Sequence, residues 1–190
     1  MMRLWITGYR SYELGVFQEK DEKIEVIKYV LRNALADQLD EGLEWVLTGG
    51  QLGVEQWAVE TALAMKKEYS ELKVALMEPF LDFGNRWQEN KQLHLADLRR
   101  QVDFNEAVVQ APYNNPQQLR QYQQFMVEHT DRCLLIYDPQ YPGKSQYDFK
   151  YVKRYIEQEK TDYQLTLISM DELQDQANEY LEFGRQREEN

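Results

Sequence analysis

A chain of 190 residues with a formal net charge of −11 is long enough to bury one full core and too acidic to attract duplex nucleic acid at long range. Its 43% hydrophobic residues exclude a disordered chain, and no run approaches the roughly 18 apolar residues of a membrane span. Cys133 is the only cysteine, which rules out an internal disulfide or a cysteine zinc cluster; with no signal-like apolar stretch after Met1, the chain reads as cytoplasmic.

Strands and helices are expected to alternate. Arg3 to Thr7 reads as a first strand, and Ile24, Ile27, Leu31, Ala34, Leu35 and Leu39 follow the spacing of a helix with one buried face. Glu44 to Thr48 reads as strand two and Val54 to Tyr69 as helix two. Lys73 to Met77 is strand three, ended by Pro79; a long loop, Phe80 to Trp87, leads to a helix around Leu93, Ala96 and Val102. Ala107 to Val109 is a short strand, and Pro116 to His129 is a helix with proline near its start. Cys133 to Tyr137 is an apolar strand, Tyr147 to Glu159 a helix, Leu165 to Ile168 the last strand, and Asp171 to Phe183 a closing helix that Asp171 is suited to cap. Apolar strands alternating with helices predict a doubly wound, mainly parallel sheet with helices on both faces. The reading is one α/β domain over residues 1–183 and a frayed tail over 184–190.

Ligands in such a fold bind beyond the carboxyl ends of the strands. Thr48-Gly49-Gly50-Gln51-Leu52-Gly53-Val54-Glu55 stands there, three glycines where a strand becomes a helix. The first N–H groups of a helix lack partners, and glycine permits both positive φ and close approach. The turn therefore suits a phosphate or another polar ligand, or else is simply tight. Glu55 reads as a partner for ribose hydroxyls, or as a first-turn acid that complements the helix dipole. Gly8, Tyr9 and Arg10 follow strand one; Arg10 is the best phosphate partner, since its guanidinium binds bidentately. Trp87 either stacks on a base or covers the sheet. Asp138 and Lys144 follow strand five. Gly143-Lys144-Ser145 resembles the end of a P-loop, but Asp138 stands where that motif needs its first glycine, so a P-loop is rejected. His94 and His129 lie far apart in sequence, and no metal site is expected.

Four segments carry a resemblance: Ile6-Thr7-Gly8-Tyr9-Arg10, Glu13-Leu14-Gly15-Val16-Phe17, Leu39 to Trp45, and Gly50-Gln51-Leu52-Gly53-Val54-Glu55, with Tyr137-Asp138-Pro139 in addition. In this order, over nearly the whole chain, they resemble the YpsA-like family of Firmicute bacteria, within the superfamily that joins DprA/Smf proteins and LOG phosphoribohydrolases. The resemblance implies a Rossmann-like fold and a nucleotide-type ligand, and no settled reaction. Two departures matter. In LOG enzymes a Gly-Gly-x-Gly-Thr-x-x-Glu pattern supplies the glutamate for N-glycosidic hydrolysis; here the threonine is absent and Glu55 follows Gly53 by two positions. Tyr122-Gln123 stands where the superfamily often has a cation before asparagine.

Three function classes follow. One is a nucleotide-binding module or sensor, with NAD-derived and ADP-ribose-like molecules as candidate ligands and Gly8, Tyr9, Arg10, Gly49, Gly50, Gln51, Gly53, Glu55, Trp87, Asp138 and Lys144 as candidate contacts. The second is a nucleotide-directed hydrolase with Glu55 or Asp138 as acid–base group. The third, a single-strand DNA binder, is disfavoured by the charge and by the lack of a Lys/Arg-rich run. The sequence leaves protein partners and homo-oligomerisation open.

Overall fold

The computed structural model describes residues 1–159 and 161–188, with side chains described through residue 185. Six strands, β1 (Met2–Gly8), β2 (Leu43–Thr48), β3 (Lys73–Phe80), β4 (Phe104–Val109), β5 (Arg132–Ile136) and β6 (Gln164–Ile168), form one sheet in the order β4-β3-β2-β1-β5-β6. Every neighbouring pair is parallel. The helices are α1 (Glu22–Asp40), α2 (Val54–Met65), α3 (Glu89–Gln101), α4 (Gln117–His129), α5 (Gln146–Glu159) and α6 (Met170–Glu188). From β1 the chain steps outward to β4, then crosses to the other side of β1 for β5 and β6. Right-handed crossovers then put α1, α2 and α3 on one face and α4 and α5 on the other, and α6 packs beside α1. This is a Rossmann-like α/β fold.

The apolar runs bury as their composition requires. Leu4, Trp5 and Ile6 of β1 and Cys133 to Ile136 of β5 lie in the core, and Trp5 meets Tyr122 of α4 edge-to-face at 6.3 Å between centroids. Among the described residues no helix is long and apolar enough to cross a membrane.

Four local departures from the sequence pattern have physical causes. A 3-10 turn at Ser11–Leu14 follows β1 and closes at Gly15, whose φ of 67° is left-handed. β3 runs through Pro79 to Phe80 instead of stopping before it. The last β2–β3 pair is Thr48 with Leu76, so beyond it β3 has only β4 as neighbour, and the missing proline N–H breaks no ladder on the β2 side. α2 ends at Met65, not Tyr69, and continues as turns. α6 is capped by Ser169 rather than Asp171: Glu172 N–H donates to Ser169 Oγ at 3.2 Å and Ser169 N–H to Glu172 Oε2 at 2.8 Å, a reciprocal capping box. The helix extends past Phe183 and Gly184 to Glu188; Glu189 and Asn190, read from sequence as part of a frayed tail, lie outside the described residues.

Asp138, at the carboxyl end of β5, is buried and ties two loops together. Its carboxylate accepts from Gln140 N–H at 2.8 Å and from Met170 N–H at 3.1 Å, the start of α6. Asp138→Ala leaves both donors without this acceptor and is expected to cost about 1–3 kcal/mol in urea denaturation, more than Ser169→Ala, which removes one cap at about 1 kcal/mol.

Candidate functional site

The chain order reverses on either side of β1, so the crevice at the carboxyl ends of β1 and β5 is the topological switch point of the sheet. Two loops are joined there by backbone. Val54 N–H donates to the Tyr9 carbonyl at 3.1 Å and Ser11 N–H to the Leu52 carbonyl at 3.2 Å, which pairs Arg10 with Gly53 as an antiparallel bridge. Gly53 has a φ of 112°, and a Cβ on it would lie 2.5 Å from the Ser11 nitrogen and 2.6 Å from the Tyr9 oxygen. The close approach that Gly53 permits is therefore that of the protein's own β1 loop. Gly8 is similarly enclosed, since a Cβ there would lie 2.7 Å from the Ile136 carbonyl oxygen. The anion cradle expected at the start of α2 is partly filled: the Val54 N–H serves Tyr9, and the Gln51 N–H donates to Glu55 Oε2 at 2.7 Å.

Glu55 turns inward and is 8% exposed. Its Oε1 lies 2.9 Å from Thr7 Oγ1, and the same hydroxyl lies 3.1 Å from Asp148 Oδ2 of α5. Asp148 Oδ1 accepts from Gln123 Nε2 of α4 at 2.6 Å. The buried Tyr122 hydroxyl has no hydrogen-bond partner among the described residues and stands beneath Gly49, where a Cβ would lie 2.4 Å from it and 2.8 Å from Glu55 Oε2. Burial pushes the Glu55 carboxyl up to about 7, helped by the neighbouring Asp148 and opposed by the Gln51 N–H, Thr7 and the Arg10 guanidinium. Asp148 is raised by burial as well, against Gln123, Thr7 and Arg10. Burial raises Tyr122 further, followed by the charges of Glu55 and Asp148. Arg10 thus bears on both carboxyls, yet among the described residues its guanidinium forms no hydrogen bond and no ion pair within 4.0 Å.

The other sequence candidates divide. Tyr9 packs on Tyr137 at 5.7 Å between centroids, and its hydroxyl accepts from Asp138 N–H and donates to the Tyr141 carbonyl at 2.7 Å. Gly50, at a φ of 78°, faces Leu76 and Leu95, away from the carboxyl pair. The Gln51 side chain folds back onto the Leu52 N–H. Trp87 packs on Phe83 at 5.2 Å in an aromatic group with Phe80 and Tyr113. Both oxygens of Asp138 hold loop N–H groups, which suits anchoring rather than acid–base work. The Lys144 side chain is exposed, and its N–H donates to Glu13 Oε1 at 2.6 Å, while Glu13 Oε2 accepts from Arg10 N–H at 2.8 Å. Glu13 therefore links the Arg10 loop to the β5–α5 loop. Asp148 was not singled out from sequence: in the first turn of α5 it reads as an ordinary helix-start acid. The one available signal is its register, one turn before the buried Val152.

Two open grooves lie elsewhere, one of about 400 Å³ between β4 and α4 and one of about 340 Å³ between α5 and β6. Neither is lined by Arg10, Glu55 or Asp148. The switch point, with its carboxyl pair, is the better candidate on chemical grounds. Among the described residues no group of three His, Cys, Asp or Glu could hold a metal ion.

Two outcomes follow. Gly53→Ala forces a methyl group into backbone at positive φ and is expected to cost folding more than about 2 kcal/mol, read as a lowered urea midpoint. A carboxyl that binds its proton more tightly when folded withdraws stability as pH rises, here between its ordinary 4.5 and about 7. Glu55→Gln cannot ionise, and its amide can still accept from Gln51 and donate toward Thr7. It is expected to match the parent near pH 4.5 and to exceed it at pH 8 by up to roughly 3 kcal/mol, with denaturation at the two pH values as the measurement.

The relationship to known proteins agrees with this architecture. The YpsA family model, described as "YspA SLOG family", matches residues 4–173. A UPF0398 protein of Leuconostoc citreum is 56% identical over 182 residues, covering 96% of this chain and 95% of that one. One from Latilactobacillus sakei is 55% identical over 186 residues, covering 98% and 99%. One from Limosilactobacillus reuteri is 48% identical over 191 residues and covers the full length of both. The match across the sheet and most of its helices, together with relatives of this similarity, makes the chain a member of the YpsA family of SLOG proteins.

Proposed function

We propose that the protein is a binding module or sensor for a nucleotide or nucleotide derivative, with NAD-derived and ADP-ribose-like molecules as the leading ligands. The observation that carries this is the Arg10 guanidinium at the switch point, without a protein partner among the described residues and beside two carboxyls that its charge lowers. A cation so held suits a phosphate, which it can bind bidentately. Glu55 and Asp148 would repel that phosphate but accept from ribose hydroxyls, so the two sets of groups favour a ligand with an anionic and a hydroxyl-rich part. Exposed Tyr12 in the 3-10 turn, Tyr141 in the β5–α5 loop and Tyr147 in the first turn of α5 offer stacking surfaces for a base. Family membership supports a nucleotide-related role without naming a ligand.

The hydrolase reading keeps one observation in its favour. Glu55 and Asp148 form a carboxyl pair, and a carboxyl near 7 suits general acid–base work. Two variants separate the readings. Arg10→Gln is expected to weaken binding of AMP, NAD or ADP-ribose at least tenfold in isothermal titration, consistent with loss of a charge-assisted contact of about 1.5–3 kcal/mol. For a binding module, Glu55→Gln weakens the same ligand and no product forms in either protein. For a hydrolase, parent protein releases product, whereas Glu55→Gln binds nearly as well and does not. Unchanged affinity in Arg10→Gln would remove Arg10 from the site.

A further inference from the structure

Two hydrogen-bond-length contacts meet on one hydroxyl near the carboxyl end of β1. Thr7 Oγ1 lies 2.9 Å from Glu55 Oε1 and 3.1 Å from Asp148 Oδ2. A hydroxyl carries a single proton, and an ionised carboxylate only accepts. Thr7 therefore satisfies one contact. The other is satisfied by a proton on a carboxyl, since otherwise two lone pairs face each other in a partly buried setting. A proton on either outer oxygen, where Gln51 N–H donates to Glu55 at 2.7 Å and Gln123 Nε2 to Asp148 at 2.6 Å, would not lie in the contact with Thr7 and leaves it unrelieved. Counting hydrogens along the chain Glu55–Thr7–Asp148 thus yields one carboxyl proton.

We propose that the Glu55–Thr7–Asp148 chain holds one proton between its two carboxyls in the ligand-free protein at neutral pH, and that an anion bound at Arg10 tightens this proton, so that phosphate-bearing ligands bind with proton uptake. The second half rests on the reading of Arg10 as the phosphate partner. The groups that face the chain are few. Arg10 comes from the turn after β1, Tyr122 and Gln123 from α4, Cys133 from β5 and the Gln51 N–H from the β2–α2 turn. Tyr122 and Cys133 are both driven up by burial and stay neutral, so among the described residues Arg10 is the charge that opposes protonation of both carboxyls. An anion that neutralises Arg10 removes that opposition. The raised Glu55 carboxyl agrees in direction. Affinity for such a ligand then falls as pH rises through neutrality.

The experiment has a ligand-free arm and a ligand arm. In the first, the side-chain carboxyl carbons of Glu55 and Asp148 are followed by NMR against pH in the parent and in Arg10→Gln. One of the pair is expected to titrate near neutrality in the parent, and Arg10→Gln is expected to move that midpoint up. Ordinary midpoints for both carboxyls, or a midpoint that Arg10→Gln leaves in place, overturn the proposal. In the second arm, AMP is titrated calorimetrically at pH 7.5 in two buffers of different ionisation enthalpy. The apparent heat is expected to depend on the buffer in the parent, reporting proton uptake, and to lose that dependence in Glu55→Gln. A buffer-independent heat in the parent overturns the coupling. Absence of any AMP binding, alongside the expected midpoints in the first arm, counts against the nucleotide reading alone.

Discussion

The bond from Val54 N–H to the Tyr9 carbonyl is short-range chemistry with long-range effect, because it binds the first turn of α2 to the end of β1. With its companion from Ser11 to Leu52 it sets where Arg10 and Glu55 stand relative to each other. Neither bond survives a side chain at Gly53, since the two backbones already touch there. α2 in turn packs on β1 and β2, so the helix that carries Glu55 is held by the sheet while its first turn is held by the loop. A carboxyl otherwise costly to bury is thereby kept over Thr7.

Polar groups around the crevice divide into those that anchor loops and those left with chemistry to offer. Glu13, Tyr9 and Asp138 spend their oxygens on backbone N–H groups and carbonyls of neighbouring loops. Glu78, at the end of β3, is buried against Arg99 at 2.6 Å, and its charge is matched inside the protein. The exceptions among the described residues are the Arg10 guanidinium and the Thr48, Tyr122 and Ser145 hydroxyls, which are left unpartnered, and Glu55 and Asp148, which share the single hydroxyl of Thr7. Such exceptions mark functional sites more often than surface exposure does.

Much of this was readable from residues alone. Runs such as Cys133 to Ile136 and Val74 to Met77 are apolar on both faces, which only a covered parallel strand explains, and their spacing gave the element order. The glycine-rich turn and Arg10 fell at one edge because both follow inner strands. Less was readable where a residue's partner is distant. Asp148 stands 141 positions from Thr7, and nothing local to α5 announces that contact. The glycine turn reads from sequence either as space for a ligand or as a tight turn, and at Gly53 the neighbours that a Cβ would meet are Tyr9 and Ser11, a contact that depends on where the first loop travels. Trp87 and Asp138 share the edge with the glycine turn, but packing and loop anchoring claim them.

The placement of β1 has a consequence for how the chain is assembled. It is made first yet lies inside the sheet, between β2 and β5. As synthesis proceeds, β1 to β4 can pair in turn through local crossovers, but the other edge of β1, Leu4 to Gly8, stays open until Arg132 to Ile136 emerge. During that interval an apolar strand edge is unpaired, the kind of surface that invites mispairing with another chain. Asp148 arrives later still. The nascent protein therefore acquires its sheet half by half, and its candidate site is complete only after the helix that follows β5 has docked.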